Sequence, residues 1–244
     1  MTKLTCDLPL NYEGLLELDS NFGGSGSANW LPVSVGIINI QPSNNDAVDQ
    51  KQYMNGLGHG SSDVTGMQNT YAVSADRVLT DAAQNFVLGL RNTIGCSRIT
   101  QCKVTLSDGN LTTFGCTIAN IAPPGGDSAS KGAWSFEIHA NGKPVVTPAT
   151  TAPALGAEIT PGSVVGSTKF AATAVDGNTL AYLLTAAVPT TPNAGAYVDI
   201  SAYTTTNNLP AVIGNVLNML ELDANGRVVK YLSDTLDADD IKSA

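Results

Sequence analysis

The chain has 244 residues, 12 Lys+Arg against 21 Asp+Glu, a formal net charge of −9 and an apolar share of 43%. The apolar share excludes an intrinsically disordered chain, and the length admits one large or two small domains. Residues 1–146 hold 8 Lys+Arg and 12 Asp+Glu (net −4) and residues 147–244 hold 4 and 9 (net −5), so neither half is a phosphate-gripping surface by bulk charge.

The N-terminal residues 1–29 read as a polar arm. Met1 to Asp7 has no long apolar core, so no signal peptide is expected, and no run anywhere approaches ~18 apolar residues. A soluble, cytoplasmically made protein is the expectation. Leu15, Leu16 and Leu18 are candidates for a short strand, followed by Phe22 and a flexible Gly-Ser stretch to Ser27. Such an arm is either frayed or tied to a neighbour, which makes Leu15, Leu16, Leu18 and Phe22 candidate arm contacts.

Trp30 to Ile40 predicts a strand with a bulge at Gly36. Gln41 to Asp46 reads as a loop, and Val48 to Leu57 as the return strand. Gly56 to Gly66 is read as a long flexible loop; its four glycines around His59 lack the G-K-[ST] of a phosphate loop. A long loop in a compact domain is commonly a partner contact. Tyr53, Met54, Leu57, His59, Asp63 and Met67 are the candidate contact residues there.

The stretch from Asn69 to His139 is the centre of the chain. Tyr71–Ser74 alternates like a strand. Thr80 to Ile94 carries a helical period through Leu79, Ala82, Ala83, Phe86, Val87, Leu90 and Ile94, with Thr80 as cap and Gly95 past the end. Arg98–Leu106 and Leu111–Ile121 predict a hairpin about Asp108-Gly109, with Ile99, Val104 and Leu106 facing Leu111, Phe114 and Ile118. Trp134, Phe136 and Ile138 share the buried face of the next strand, and Ser135, Glu137 and His139 the other. His139 therefore reads as a sheet-surface or subunit-contact residue.

Thr147 to Ala154 is Pro-, Thr- and Ala-rich and reads as an extended tether. The predicted divisions are 1–29 arm, 30–146 first domain, 147–158 linker and 159–244 second β domain. In the last, Asp176-Gly177 predicts a hairpin between 168–175 and 178–186. Ala224-Asn225-Gly226 predicts another between 216–223 and 227–232, and the acidic tail from Ser233 is expected to be mobile.

Chemistry-bearing motifs do not emerge. The two histidines sit in no H-x-x-H context, no G-x-S-x-G occurs, and Cys6, Cys96, Cys102 and Cys116 form no C-x-x-C pair. Buried free thiols are expected for Cys102 and Cys116, in the two arms of the predicted hairpin. The acidic groups Asp46/Asp49 and Asp237/Asp239/Asp240 lack the ligand spacing of a calcium loop. A non-enzyme without cofactor or metal is the expectation.

Asn69–Asp76 followed by Asp81–Gly89, then Leu106–Asn110 in a hairpin, Gly115–Asn120 and Lys131–Gly142, resemble in order and spacing the major tail tube proteins of long-tailed, siphovirus-like bacteriophages. The likeness spans roughly residues 28–145. It implies a mainly β fold, a tail-tube β-sandwich or barrel with one flanking α-helix. Residues 159–244 would be a small C-terminal β-sandwich, immunoglobulin-like in some members. It further implies hexameric rings that stack around a lumen, with residues 41–68 and 1–29 reaching the neighbouring ring. The implied partners are other copies of the chain, a tape measure protein, tail terminator and tip proteins, and viral DNA passing without specific binding along an acidic wall. The implied location is the virion tail. For the C-terminal domain two readings stay open: weak multivalent binding of host-surface glycans, or plain decoration. The rival readings are a tube or sheath-type subunit of another contractile or secretion machine and a carbohydrate-binding β module.

Overall fold

The computed structural model describes residues 11–243. Contacts divide the chain into two units. One comprises Leu15–Val104 and Thr112–Val146; the other comprises the described residues before Leu15, Thr105–Leu111 and the chain from Thr147 on.

The first unit is built from β1 (Leu15–Asp19), β2 (Trp30–Pro32), β3 (Ile37–Ser43), β4 (Ala47–Gln52), β5 (Gly60–Gly66), β6 (Thr70–Asp76), α1 (Ala82–Gly89), β7 (Ile99–Thr105), β8 (Leu111–Gly125) and β9 (Ala133–Thr147). Seven of these strands form one sheet in the order β2-β1-β7-β8-β9-β6-β3, while β4 and β5 pair only with each other. The strand expected from Trp30 to Ile40 is thus two strands, on opposite edges of the same sheet. Six interstrand gaps of about 4.8 Å would separate the edges of a flat sheet by about 29 Å. The five residue steps from Pro32 to Ile37 reach at most about 18 Å. The sheet must therefore curl until its two edges approach, and its apolar face closes around the core.

That core contains Leu18, Val73, Cys102, Phe114, Cys116, Ile118, Trp134, Phe136 and Ile138. Register explains the alternation: Tyr71, Val73 and Ala75 of β6 lie opposite Ile138, Phe136 and Trp134 of β9. On β7 the inward face is Thr100 and Cys102, with Val104 partly buried. Ile99 and Leu106, expected to face inward, are 38% and 50% exposed. Ile99 has the wrong parity for the pleat set by Cys102, and Leu106 lies past the end of β7, in the turn.

Residues 15–32 are not a free arm. β1 lies inside the sheet, and Glu17, Leu18 and Asp19 pair with Pro32, Leu31 and Trp30. The Gly-Ser stretch between them is a turn, not a flexible run: Asp19 Oδ1 accepts from the Asn21 N–H at 2.9 Å and the Asn29 N–H at 2.8 Å.

The helix is shorter than its periodicity predicts. Asp81, not Thr80, is the cap, accepting from the Gln84 N–H at 2.7 Å. The helix ends at Gly89, a poor helix former, and Leu79 and Ile94 lie outside it, 78% and 87% exposed. Its inward face is Ala83, Gln84 and Val87. Gln84 is the joint of the curl. Its Oε1 accepts from the Val78 N–H (2.8 Å) and Arg77 Nη1 (3.2 Å); its Nε2 donates to the carbonyls of Val35 (2.8 Å) and Asp76 (3.1 Å). One buried amide thereby ties the β2–β3 crossing to the end of β6. Gly36 sits beside it with φ +73°, and a Cβ there would lie 2.6 Å from the Asp76 carbonyl oxygen.

The second unit contains β10 (Ala157–Pro161), β11 (Ser167–Ala172), β12 (Thr179–Thr185), β13 (Asn208–Pro210), β14 (Val216–Leu222) and β15 (Val228–Thr235). They form two three-stranded sheets, β10-β11-β13 and β12-β14-β15, and Phe170 meets Tyr182 with ring centroids 4.7 Å apart. β14 and β15 form the hairpin expected about Gly226. β11 and β12 do not pair: the Asp176-Gly177 turn joins two sheets instead of closing a hairpin. All seven residues of β14 are buried, because its outer face is covered as well. Part of that cover is the stretch expected as a tether, where Ala152 is buried and Ala154 bridges Tyr231. The tail is also held: Leu236 is buried, and the Lys242 N–H donates to the Ser167 carbonyl at 2.9 Å.

Both tryptophans of the chain, Trp30 and Trp134, lie in the first unit, so their fluorescence reports its unfolding alone. Gln84→Ala removes the partner of three part-buried backbone groups, the Val78 N–H and the Val35 and Asp76 carbonyls, and is expected to cost about 2–4 kcal/mol in urea unfolding followed by that fluorescence. Gly36→Ala combines left-handed strain with overlap and is expected to cost about 2–4 kcal/mol as well. Unchanged midpoints would remove this joint from the account of the curl.

Candidate assembly surface

The segment 44–68, expected as a loop around Gly56–Gly66, is a two-stranded hairpin. Ala47–Gln52 pairs antiparallel with Gly60–Gly66, with Val48 opposite Val64 and Asp49 opposite Asp63. The glycines disguise the second strand, because no core face imposes a visible alternation on it. A short 3-10 turn at Met54–Gly56 leads into Leu57 and Gly58, both with positive φ (50° and 86°), and this reverses the chain. The base is clamped by Asn45, in left-handed conformation at φ 47°: its Nδ2 donates to Thr70 Oγ1 at 2.8 Å and to the Gln68 carbonyl at 3.3 Å.

No residue of β4 or β5 is buried. Met54 and Leu57 at the tip are 101% and 90% exposed, and Tyr53, Val64 and Met67 are more than half exposed. The structure thus brings the six candidate contact residues Tyr53, Met54, Leu57, His59, Asp63 and Met67 onto one hairpin or its base. Sequence reasoning missed Val48 and Val64; their single cross-strand pairing is invisible without the register. The arm candidates fare differently. Leu16 and Leu18 are core residues (4% and 0% exposed) and unavailable to a neighbour, Leu15 is half-buried beside them, and Phe22 is 44% exposed. Their alternation is that of an internal strand, which a polar flank had hidden.

A second polar group lies on the non-core face of β8 and β9. His139 Nε2 is 2.7 Å from Glu137 Oε2, and Asn120 Nδ2 donates to the same oxygen at 2.7 Å. These bonds from His139 and then Asn120 hold the Glu137 carboxyl below its ordinary value. Asn141 and Thr117 are linked on the same strands at 2.9 Å. His139 is thus a sheet-surface residue with a satisfied ring nitrogen. Cys102 and Cys116 are buried free thiols. Burial raises the pKa of both, that of Cys116 to about 12, which keeps them protonated and poor nucleophiles. Cys6 lies outside the described residues. Among the described residues no three His, Cys, Asp or Glu side chains converge as metal ligands, and no helix is long and apolar enough to cross a membrane.

Residues 160–239 match the family of the S-layer protein SbsC C-terminal domain. No curated protein sequence matches the chain. Solved structures similar to it include domains 7, 8 and 9 of the S-layer protein SbsC, at 23% identity and TM-score 0.36 over 55% of this chain. This chain spans only 38% of the length of that one. A tail of an empty GTA particle with C6 symmetry aligns at 12% identity and TM-score 0.46, covering 58% of this chain and all of that one. The tube-terminating cap of the anti-feeding prophage aligns at 12% identity and TM-score 0.37, covering 60% of this chain and 99% of that one. At these values the likenesses assign no function.

The SbsC-like region contains β11 to β15 and one buried carboxylate, Glu221, at 0% exposure. Its Oε1 accepts from the Val175 N–H at 2.9 Å and Asn178 Nδ2 at 2.7 Å, and Lys230 Nζ lies 3.1 Å from Oε2. Burial alone would raise its pKa, but the Val175 N–H, the Asn178 amide and Lys230 outweigh it and hold the carboxyl below its ordinary value. A depressed folded value means stability that is present above the ordinary glutamate range and lost as pH falls through the folded value. Acidification below about pH 4 is therefore expected to loosen this unit, read as faster hydrogen exchange at the Val175 amide. Glu221→Gln should flatten that pH dependence; an equally steep dependence in the variant would show that Glu221 is not its source.

Proposed function

We propose that the chain is a structural, non-enzymatic subunit of a phage-like tail tube. Copies close into rings, hexameric as in the family that residues 28–145 resemble, and the rings stack through the β4–β5 hairpin around a lumen that passes DNA. The tape measure, terminator and tip proteins of the tail are its proposed partners, and the virion tail its place. The observation that carries this reading is the hairpin. Isolated two-stranded hairpins are marginal in water, and this one has no buried residue while its tip (Tyr53, Met54, Leu57) and the Val48–Val64 pair are exposed apolar side chains. A surface of that kind is stabilised by being covered, and a repeating subunit covers it with another copy. The curled sheet adds two edge strands, β2 and β3, whose outer backbone groups are open to pairing.

A second reading has its own support. The SbsC-type match of residues 160–239 favours an outward, surface-array role for the C-terminal unit, in which flat lattices replace tubes. Host glycan binding at many copies would then belong to that unit.

Deleting residues 47–66 and joining Asp46 to Met67 through a short glycine linker removes no core residue. The variant is expected to keep its tryptophan fluorescence and unfolding midpoint and to remain dispersed. The intact chain, concentrated and imaged by negative stain, is expected to form rings or hollow tubes. Tubes from the deletion variant would remove the hairpin from the assembly, and flat lattices from the intact chain would favour the second reading.

A further inference from the structure

The hairpin has two unlike faces. Val48 and Val64 pair on one face, and on the other Asp49 lies directly opposite Asp63. Like charges facing across a ladder weaken it. Lys51 Nζ, 2.6 Å from Asp49 Oδ2, offsets one carboxylate, and no core compensates for the other. The strain is relieved if a basic surface lies over this face. The chain itself offers one at the end of α1. Arg98 donates from Nη2 to the Arg91 carbonyl at 2.7 Å and from Nε to the Thr93 carbonyl at 2.8 Å, which orders the loop 91–98. Those two bonds leave three of its five N–H donors. Arg91 is exposed beside it, and between them Ile94 is 87% exposed. Of the other cations of the first unit, Lys51 pairs with Asp49, Lys103 lies over the Trp30 ring, Lys131 is 3.2 Å from Asp76 and Arg77 bonds Gln84, while Lys143 is a single exposed charge on β9 with no second cation placed beside it as Arg91 and Arg98 are.

Resting on the self-assembly reading, we propose that the Asp49/Asp63 face of one copy docks on the Arg91–Ile94–Arg98 knob of a second copy. Two guanidinium groups meet two carboxylates. The contact is partly exposed, so it weakens as salt screens it.

Charge reversal on each side, and then on both, tests it. Asp49→Lys/Asp63→Lys and, separately, Arg91→Glu/Arg98→Glu are each expected to raise the critical concentration for assembly by about tenfold or more at 0.1 M salt. The chain carrying all four changes is expected to regain most of the loss, because every copy then presents the inverted pair. Since Arg98 also holds its loop, the same cross is made with Arg91→Glu alone. Assembly that is insensitive to these changes, or a four-fold variant no better than either half, overturns this contact and leaves assembly through the hairpin standing. So does rescue of Asp49→Lys/Asp63→Lys by Lys143→Glu on exposed β9 in place of the arginine changes. An intact chain that stays dispersed at every concentration and salt overturns both.

Discussion

The crossing from β2 to β3 sets the geometry of everything else in the first unit. Four residues, Val33 to Gly36, carry the chain from one edge of a seven-stranded sheet to the other. That is possible only if the sheet curls, and the curl is held by one buried amide, Gln84, bonded to both sides of the gap. A curled sheet encloses a core on its concave face and needs only one short helix to close it. It also leaves the chain after β3 with no room in that core. The hairpin of β4 and β5 therefore stands outside, connected by Asn45 and covered by nothing in its own unit.

The same division governs chemistry. Three buried titratable groups carry no reactive chemistry: Glu221 accepts two hydrogen bonds and faces Lys230, and Cys102 and Cys116 are protonated thiols. The Glu137–His139–Asn120 group is bonded within its own sheet surface. What remains unsatisfied is shape and surface: apolar side chains at the hairpin tip, facing aspartates on its flank, and open strand edges. These are the features on which the proposed self-association rests.

How much of this was legible in the sequence depends on whether a residue faces a core. Trp134, Phe136 and Ile138 alternate against a single apolar face, and their strand and its inward side were readable. So was the β14–β15 hairpin, where Asn225-Gly226 dictates the turn. The Gly60–Gly66 strand was not readable, because a strand exposed on both faces carries no periodicity. Leu16 and Leu18 looked like a polar arm since only a few apolar residues mark a strand flanked by Gly and Ser. The helix was overextended because Leu79 and Ile94 continue its period without any surface to pack on. Asp176-Gly177 signals a turn correctly but not which sheet the chain enters next; that depends on Phe170 and Tyr182 meeting across two layers.

Backbone hydrogen exchange of β4 and β5 most directly tests whether the hairpin is completed by another copy. In the dispersed chain their only backbone partners are each other and no residue of either strand is buried, so their amides should exchange rapidly. In the assembled state the account predicts strong protection of 47–66 while α1 and β9 change little. Equal exchange of the hairpin in dispersed and assembled protein would contradict it.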